Sequence, residues 1–435
     1  MVTHHPPSLV QSATPSHALA YDVVVIGGGT AGAAAGVAAA RAGARTLIVE
    51  EANALGGIST SGGVHEWFAK LKGLGNIFDD LRDELERYGA KFGRFFNGEY
   101  LKIVWQRMAD QAGVDVLYHT TLLSAQADAG SVTSVELAGC GQRLNASAKA
   151  FIDASGEGDL AAAAGAPFMK GDPDTGRTLH MTLTFTLADS GREQTPYLPP
   201  GLEPINARDE LPGLGTGTPM PDGRIYCNAT KVMGLDPTDP LQLARAEAEA
   251  RRQIARVLHY MQRFECPRHI LVASGARIGI REGRRILGES FVRGEDVVAG
   301  VNIDPPDGVA VATCQIDFHS LTRPGDTGWR QKVHPYAIPL RAMIPRGLKN
   351  VLVAGKCISG DQVAMSSYRM TPTCCGMGQA AGTAAAQFLR EHLGDFRNLD
   401  TALLRRQLHD DAVELDPRAH HAFSTHQTPD PALAS

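Results

Sequence analysis

Residues 21–51 read YDVVVIGGGTAGAAAGVAAARAGARTLIVEE, and this stretch decides the fold. The β-branched run Val23 to Ile26 is typical of a short strand that is buried on both faces. Three glycines follow at positions 27, 29 and 32, and an alanine-rich segment suited to a helix continues from there. A second apolar run, Thr46 to Val49, ends at Glu50. The order strand, glycine turn, helix, strand predicts a βαβ unit of a parallel sheet.

The glycine turn has the spacing of a dinucleotide-binding loop, Gly27-x-Gly29-x-x-Gly32. In such loops the first glycine permits a tight turn, the second lets a pyrophosphate approach the backbone, and the third lets the helix pack on the strand. The start of the helix, at Thr30 and Ala31, offers free N–H groups and a partial positive charge for phosphates. This turn therefore predicts a nucleotide site.

Glu50 follows Gly29 by 21 positions. At this distance a carboxylate accepts hydrogen bonds from ribose hydroxyls, and its charge disfavours the 2′-phosphate of NADP. Gly-x-Gly-x-x-Gly alone is a weak signal, but here the strand, the helix, the second strand and the acid all appear in the expected order. A glycine-rich turn in another α/β fold is the alternative.

The composition is that of a soluble globular protein. Of 435 residues, 43% are hydrophobic and 20% charged, and the formal net charge of -5 gives no electrostatic reason to expect nucleic acid or a membrane as partner. No apolar run is long enough for a membrane span, and the first 20 residues lack the apolar segment of a secretory signal. The seven cysteines show no CxxC spacing, so we expect reduced thiols, a cytoplasmic location and no metal site.

Further segments add to the first one. They are EANALGGISTSGG (51–63), KAFIDASGEGDLAAAAG (149–165), GARIGIREGRRILGE (275–289), YAIPLRAMIPRGLKNVLVAGKCIS (336–359) and its continuation GDQVAMSSYRMTPTCCGMGQAAGTAAA (360–386). Together they resemble the FAD-dependent oxidoreductase family of the glutathione-reductase-like (GR2-type) flavoprotein superfamily. The resemblance covers residues from about 20 to 390, with a weak stretch around 190–250.

This resemblance implies noncovalent FAD. It implies that the loop with Gly56 and Gly57 passes over the pyrophosphate and ribityl chain, and that the backbone at Ser155 and Gly156 contacts the adenine end. It also implies that a helix starting near residues 371–373 points its N-terminus at the flavin. The predicted cofactor-binding residues are Gly27, Gly29, Thr30, Ala31, Gly32, Glu50, Gly56, Gly57, Ser155, Gly156, Gly355, Thr373 and Gly378.

The chain departs from the family's pattern at one place. After Cys357-Ile358-Ser359 the resemblance leads us to expect a run of the type Ala-Thr-His-Glu-Ala, whereas this chain has Gly360-Asp361-Gln362-Val363-Ala364. A glutamine cannot replace a histidine as a base. The family's reaction is therefore not transferred from the resemblance.

The predicted fold class is α/β, with a Rossmann-type FAD-binding domain (parallel sheet, helices and a small β-meander) and an inserted mixed α+β substrate domain. We expect residues 21–180 and 270–390 to form the FAD domain and 181–269 the substrate domain, which part of 65–120 also joins. The segment HMTLTFTL (180–187) alternates polar and apolar residues, as in a half-buried strand. Residues 1–20 are predicted to be disordered, and 391–435 to form a helix and a disordered tail.

The chemistry is inferred by elimination. The chain has no second dinucleotide-binding loop and no CxxxxC pair, which disfavours a dedicated NAD(P)H domain and disulfide redox chemistry. The interpretation that is left is a dehydrogenase or oxidase that moves a hydride from a small organic substrate to flavin N5 and is reoxidised by O2 or another acceptor. The predicted catalytic residues are His334, ranked first as the base, His180, ranked second, and Tyr336 and Arg369, with His319 and Tyr368 as further candidates.

Two questions stay open in the sequence. The run Arg281, Arg284 and Arg285, with Glu282 between them, suits either a carboxylate substrate or an internal ion-pair network. Two other functions are alternatives, namely an FAD-dependent monooxygenase that uses free NAD(P)H and a non-catalytic flavin-binding or electron-transfer protein. The partner is expected to be a small-molecule substrate, and a homodimer is among the assembly states left open.

Overall fold

The computed structural model describes residues 17–213, 217–220, 222–322 and 328–421. In the described part of the chain, the helices are α1 (Thr30–Arg41), α2 (Asn76–Arg87), α3 (Gly98–Ala112), α4 (Asp159–Ala163), α5 (Pro240–Phe264), α6 (Gly294–Ala299), α7 (Gln362–Tyr368), α8 (Thr371–Arg390) and α9 (Thr401–Asp410). The strands are β1 (His17–Ala20), β2 (Val23–Ile26), β3 (Thr46–Val49), β4 (Lys91–Phe92), β5 (Phe95–Phe96), β6 (Asp115–Leu117), β7 (Thr120–Asp128), β8 (Ser131–Gly139), β9 (Gln142–Ser147), β10 (Ala150–Asp153), β11 (Phe168–Lys170), β12 (Phe185–Asp189), β13 (Thr218–Pro219), β14 (Arg224–Cys227), β15 (His269–Ser274), β16 (Arg284–Ile286), β17 (Gly308–Ala312), β18 (Ile316–Phe318), β19 (Trp329–Gln331), β20 (Tyr336–Pro339) and β21 (Val351–Val353).

A five-stranded parallel sheet forms the centre of the molecule, in the order β21-β10-β2-β3-β6. Strand β2 lies in the middle, and its four side chains are almost fully buried, as its β-branched composition predicts. Helix α1 connects β2 to β3, so the βαβ unit forms where the glycine turn predicts it. The α/β class and the Rossmann-type parallel sheet are thus confirmed.

Helix α8 packs closely against α1. Both helices are rich in glycine and alanine, and a Cβ atom placed on Gly378 or Gly382 would collide with the carbonyl oxygen of Ala31 or Ala35. The absence of side chains at these contacts lets the two backbones approach each other. The small residues in the C-terminal segment therefore support helix packing.

A second sheet carries the small meander. Strands β7, β8 and β9 are antiparallel, and β1 adds to β9 in parallel. Residues 17–20, which the sequence leads us to expect as disordered, thus form a strand, because their backbone groups pair with residues 144–147. Residues 1–16 and 422–435 lie outside the described part of the chain.

An antiparallel sheet of order β13-β14-β12-β15 lies between the two halves of the parallel sheet in sequence. Helix α5 packs on it, and residues from Met181 to Met261, together with Ile278, share a hydrophobic core separate from the main one. Strand β15 pairs with β12, so residues 270–274 belong to this sheet and not to the FAD-binding part where the sequence placed them.

The alternating segment 180–187 is buried on both sides, whereas the sequence predicts a half-buried strand. Its apolar residues face the second core. The polar residues Thr182 and Thr184 line a cavity and form hydrogen bonds with the carbonyl groups of Thr230 and Gly62. These two residues of the polar face are therefore turned toward a cavity and not toward the outer surface.

Candidate active site

A cavity of about 1080 Å³ lies at the carboxyl ends of the central parallel strands. The segments that follow β2, β3, β10 and β21 line it, and so do residues next to the strands of the inserted sheet, such as Thr184 before β12, Asn228 after β14 and Ala276 after β15. In open α/β sheets, ligands bind at this edge because the turns there present free backbone groups. The cavity is therefore the candidate active site.

The glycine turn after β2 divides its tasks among three residues. Gly27 has a φ of +91°, and a Cβ atom on it would lie 2.5 Å from the carbonyl oxygen of Ala154. Gly32 allows α1 to approach the turn, because a Cβ atom there would overlap the carbonyl oxygen of Gly27. Gly29 lines the cavity, and a Cβ atom on it would meet nothing within 4 Å. The backbone of Gly29 is thus the part of the turn that is open to a ligand.

Glu50 follows β3, lines the same cavity and is only 6% exposed. Its Oε2 atom accepts a hydrogen bond from the Gly28 amide at 2.6 Å, and Oε1 accepts one from the Ala52 amide at 2.7 Å. Burial raises the pKa of Glu50, and the two backbone donors oppose that rise. The two amides hold the carboxylate in one orientation, as a ribose site requires.

The loop of residues 56–63 crosses the glycine turn. The Gly56 amide donates to the carbonyl of Gly28 at 2.8 Å, and Thr30 Oγ1 donates to the carbonyl of Gly56 at 3.1 Å. Gly57 and Ser61 line the cavity, and Gly57 lies close to the Cα atom of Gly29. The loop therefore passes where a pyrophosphate bound at the glycine turn would lie.

The turn after β10 is shaped by Asp153. Its Oδ1 atom accepts hydrogen bonds from the Ser155 hydroxyl at 2.7 Å and the Ser155 amide at 3.1 Å, and Oδ2 accepts one from the Ala161 amide at 2.8 Å. Burial raises the pKa of Asp153 to about 6. Ser155 and Gly156 line the cavity, whereas Asp153 holds the turn in place.

Lys356 lines the cavity beside this turn. Its Nζ atom lies 2.5 Å from Oε1 of Glu157 and also donates to the carbonyl of Gly156. Burial raises the pKa of Glu157 to about 7, and the lysine only partly offsets this effect. The sequence did not single out Lys356, although it directly follows the predicted Gly355.

The first turn of α8 also reaches the cavity, through Thr371 and Cys374. Burial raises the pKa of Cys374 to about 12, so its thiol stays protonated at neutral pH. The position of the helix agrees with its predicted start near residues 371–373.

Four of the predicted cofactor-binding residues do not line the cavity. Gly32 and Gly378 serve the packing of α1, and Gly56 holds the loop against the glycine turn. Thr373 is buried within the first turn of α8, and its Oγ1 atom has no hydrogen-bond partner in the described part of the chain. The predicted residues that do line the cavity are Gly27, Gly29, Thr30, Ala31, Glu50, Gly57, Ser155, Gly156 and Gly355.

These residues fit a dinucleotide such as FAD. The space beside Gly29 is open, the start of α1 faces the cavity, and the carboxylate of Glu50 is held at its wall. The hydroxyl of Ser61 is buried at the cavity and has no hydrogen-bond partner among the described residues. It can therefore donate or accept a hydrogen bond with a polar ligand.

Beyond the dinucleotide residues, the cavity wall carries a cluster of charged and polar side chains. We call it the polar cluster and define it as Arg281, Gln315, Asp317, His319, Arg330 and Arg369. Strands β18 and β19 pair so that Asp317 lies opposite Arg330. Asp317 accepts hydrogen bonds from Arg330 Nε at 2.7 Å and His319 Nε2 at 3.0 Å, and the Arg369 guanidinium lies 3.6 Å from its Oδ2 atom.

The electrostatics of the cluster keep Asp317 ionised and His319 neutral. Burial alone would raise the pKa of Asp317, but the hydrogen bond from His319 and the charges of Arg369 and Arg330 hold it well below its usual range. Burial and the charge of Arg281 lower the pKa of His319 to about 4, against the opposing effect of Asp317. A neutral imidazole that donates Nε2–H to Asp317 keeps a lone pair on Nδ1 and can accept a proton there.

The structure separates the predicted catalytic residues. Arg369 lines the cavity. His180 is buried behind the wall, with its ring edge-on to His319 at 4.7 Å between centroids. Tyr336 is buried in β20 and does not line the cavity. His334 is exposed and packs against Gly300, so its position argues against the predicted role as the base.

The arginine run is divided as well. Arg281 faces the cavity, Arg284 pairs with Asp159 at 2.8 Å, and Arg285 forms a fully buried ion pair with Glu282. The ion-pair alternative therefore applies to Arg284 and Arg285, whereas the role of Arg281 stays open at this point.

The sequence named His319 only among further candidates and missed Asp317, Arg330 and Gln315. One signal could have found Gln315 and Asp317 together with His319, although not Arg330. In the segment Cys314-Gln315-Ile316-Asp317-Phe318-His319, every second residue is polar, which puts three polar side chains on one face of a strand.

Among curated proteins, no sequence matches this chain. Solved structures that it resembles include a geranylgeranyl bacteriochlorophyll reductase-like protein from Thermoplasma acidophilum (12% identity, 94% of each chain, TM-score 0.47). Two others are a myxobacterial FAD-dependent chondrochloren halogenase (14% identity, 91% of this chain and 79% of the other, TM-score 0.45) and a p-nitrophenol 4-monooxygenase from Pseudomonas putida (12%, 93% and 91%, TM-score 0.45).

No described helix combines the length and the apolar composition that crossing a bilayer requires.

The family model described as "FAD dependent oxidoreductase" matches residues 22–408. This match spans most of the chain and includes both the glycine turn and the polar cluster. The protein is therefore an enzyme that uses FAD, and it belongs to the FAD-dependent oxidoreductase family.

Proposed function

We propose that the enzyme is a dehydrogenase or oxidase that oxidises a small organic molecule, with His319 as the base. The observation that carries the proposal is the pair of His319 and Asp317 on the wall of the cavity that the dinucleotide-binding residues also line. A neutral histidine oriented by an ionised carboxylate is the arrangement that general-base catalysis needs.

In this mechanism, a C–H bond of an alcohol or amine breaks together with an O–H or N–H bond, and a carbon–heteroatom double bond forms. His319 takes the proton of the O–H or N–H group on Nδ1. The carboxylate of Asp317, 3.0 Å from Nε2, stabilises the imidazolium that forms. When bound, FAD supplies the acceptor for the hydride that leaves the carbon atom.

The remaining polar groups orient the pair of His319 and Asp317 and set the electrostatic potential at the cavity wall. Arg369 and Arg330 hold Asp317 ionised from two sides. The first turn of α8 places positive potential at the cavity wall, where it favours added negative charge. Arg369 therefore acts on the pair of His319 and Asp317. We propose His180, whose ring is in edge contact with that of His319, as a positioning residue.

An FAD-dependent monooxygenase that is reduced by free NAD(P)H is the second candidate. The names of solved structures in the comparison include a halogenase and a monooxygenase, but likenesses of this degree show the fold alone. We further propose that the chain has the GR2-type motif set within its family, which is supported by the glycine turn, the turn at Ser155 and the segment around Gly355.

The test is anaerobic flavin reduction. The purified holoenzyme is mixed with a panel of primary and secondary alcohols and amines, with and without a carboxylate, and the flavin band near ~450 nm is followed. A dehydrogenase or oxidase loses this band on addition of substrate alone. Reduction that requires NAD(P)H and is accelerated by an organic molecule would overturn the proposal in favour of the monooxygenase.

A further inference from the structure

The side chain of Arg281 lines the cavity without a carboxylate of its own. Its Nη1 atom donates to Thr182 Oγ1 at 2.6 Å and to the carbonyl of His180 at 3.2 Å. Both acceptors are neutral, and among the described residues no carboxylate forms a salt bridge with this guanidinium. A guanidinium has five donors in a planar fork, so Arg281 keeps donors for a further partner.

Arg369 lies near Arg281 and is also incompletely satisfied. Its Nη2 atom donates to the backbone carbonyl of Asp317 at 3.0 Å, and its side chain is only 9% exposed. Its Nε atom is buried and has no hydrogen-bond partner in the described part of the chain. Burial lowers the pKa of Arg281 to about 10, and the nearby charge of Arg369 adds to this effect.

The acids around these arginines are already shared or paired. Asp317 serves Arg330, His319 and Arg369 at once. Glu66, which also lines the cavity, pairs with Arg94, and Glu282 pairs with Arg285. The polar cluster thus sets three guanidinium groups against one carboxylate. Excess charge of one sign in a partly dehydrated cavity is unfavourable unless an opposite charge joins it.

We propose that Arg281 and Arg369 bind a carboxylate group of the substrate. The planar guanidinium fork matches a carboxylate with two parallel hydrogen bonds, and a pair of such forks fixes the orientation of the bound molecule. This inference rests on the proposed function, because it takes the cavity to be the place where the substrate is oxidised.

A carboxylate bound at this position would also increase the basicity of His319. Burial and the charges of Arg281 and Arg369 depress the pKa of His319, while Asp317 raises it. A carboxylate bound between the two arginines offsets their charges, so His319 becomes a stronger base when the substrate is present. The groups that face His319 in this cluster are Arg281, Arg369, Asp317 and His180, with Arg330 acting through Asp317.

The experiment measures binding to the oxidised holoenzyme by isothermal titration calorimetry and by the shift of the flavin spectrum. The probes are acetate, benzoate and succinate, each against its neutral amide, and inorganic phosphate. We expect at least one carboxylate to bind at least 10-fold more tightly than its amide and than phosphate. Arg281→Gln should weaken that binding by about 10- to 100-fold, and Arg281→Lys by less, because the lysine keeps the charge but not the fork.

Arg252→Gln is the matched control, because this arginine of α5 is 53% exposed and pairs with Glu249 on the surface. Circular dichroism and FAD content verify that each variant is folded. If Arg281→Gln is not folded, the comparison is made with Arg281→Lys. The inference would be overturned if no carboxylate binds, or if the protein binds acids no more tightly than their amides or phosphate. It would also be overturned if wild type, Arg281→Gln and Arg281→Lys bind the carboxylate equally well. Carboxylate binding that depends on Arg281 without any flavin reduction by substrate would keep the anion site and reject the proposed reaction.

Discussion

The Nε2 atom of His319 lies 3.0 Å from the Oδ2 atom of Asp317, and the two residues occupy alternate positions of one polypeptide segment. Alternation in an extended chain puts both side chains on the same face. Strand β19 lies beside them and brings Arg330 opposite Asp317. The acid is therefore held by a cation on one side and by the imidazole on the other.

Replacement of His319 tests this pair. His319→Gln should lower the rate of anaerobic flavin reduction by substrate about 10²- to 10⁴-fold, because a glutamine cannot take the proton. FAD content should stay the same, since His319 is not among the residues that match the dinucleotide motif. The measurement is stopped-flow absorbance under saturating substrate.

Two other histidines make this experiment decisive. His409 on α9 is 75% exposed, so His409→Gln is the matched control and should behave as wild type. His334→Gln separates the sequence prediction from the geometry, because this exposed residue was ranked first as the base. A large loss in His334→Gln together with a small one in His319→Gln would refute the role of the pair.

The pH dependence of stability gives a second test of the environment of His319. Its pKa is about 4 in the folded protein, below the ordinary value of 6.5. The unfolded chain therefore binds the extra proton first as the pH falls, and folding is weakened between pH 6.5 and 4. The free energy of unfolding should drop by about 2 kcal/mol at pH 5 through this residue alone.

The measurement is urea unfolding of wild type and His319→Gln at pH 7 and pH 5. Buried acids with raised pKa values, such as Glu66 and Glu157, act in the opposite direction, but they are present in both proteins. The prediction therefore concerns the difference, namely that wild type loses more stability than the variant on going to pH 5. Equal losses would mean that His319 titrates as it does in the unfolded chain.

Glu50 should contribute directly to FAD affinity. Its two carboxylate oxygens are oriented by the amides of Gly28 and Ala52 and keep lone pairs for ribose hydroxyls. Glu50→Gln should weaken FAD binding about 10- to 100-fold, because hydrogen bonds to a charged group are among the stronger ones. Quenching of FAD fluorescence by the apoprotein measures the dissociation constant.

Glu295→Gln is the control for Glu50, since Glu295 is 77% exposed at the start of α6. An unchanged dissociation constant in Glu50→Gln would mean that the ribose lies elsewhere in the cavity. A loss of the same size in both variants would point to a general effect of charge.

The sequence was sufficient for the nucleotide-binding half because its signals are local. Gly27, Gly29 and Gly32 and the buried strand before them lie within ten residues. Gly27 and Gly32 make backbone contacts that only a glycine allows, and Gly29 leaves space open at the cavity. Glu50 follows from the length of the helix and the second strand. These relations depend on neighbours in the chain and hardly on the rest of the fold.

The polar cluster could not be found in this way, because distant segments assemble it. Arg281 comes from the segment after β15, His319 follows β18, and Arg369 directly follows α7. Pairing of β18 with β19 and packing of α7 bring them together, and no local pattern records either event. The alternation of Gln315, Asp317 and His319 marks a polar strand face, but it does not show what that face meets, so it does not decide between His319 and His334 as the base.

The contact between α1 and α8 yields a stability prediction with a control on the same helix. A Cβ atom on Gly378 would overlap the carbonyl oxygen of Ala31, whereas one on Gly376 would lie 3.6 Å from the Cβ atom of Ala310, an ordinary contact. Gly378→Ala should therefore lower the free energy of unfolding by about 1–3 kcal/mol, since the helices must move apart. Gly376→Ala should be neutral or stabilising by up to about 1 kcal/mol, because alanine favours the helix.

Urea unfolding of the apoprotein and of the holoenzyme at a fixed FAD concentration measures both changes, and both forms are needed because bound cofactor adds to apparent stability. Gly378→Ala should also weaken FAD binding, since α1 and α8 each present their first turn to the cavity. The sequence assigned Gly378 to the cofactor, and the two interpretations differ in one respect. If the glycine contacts FAD and not Ala31, the variant will lose affinity while the apoprotein unfolds at the same urea concentration as wild type. Destabilised apoprotein is the result that the helix contact predicts.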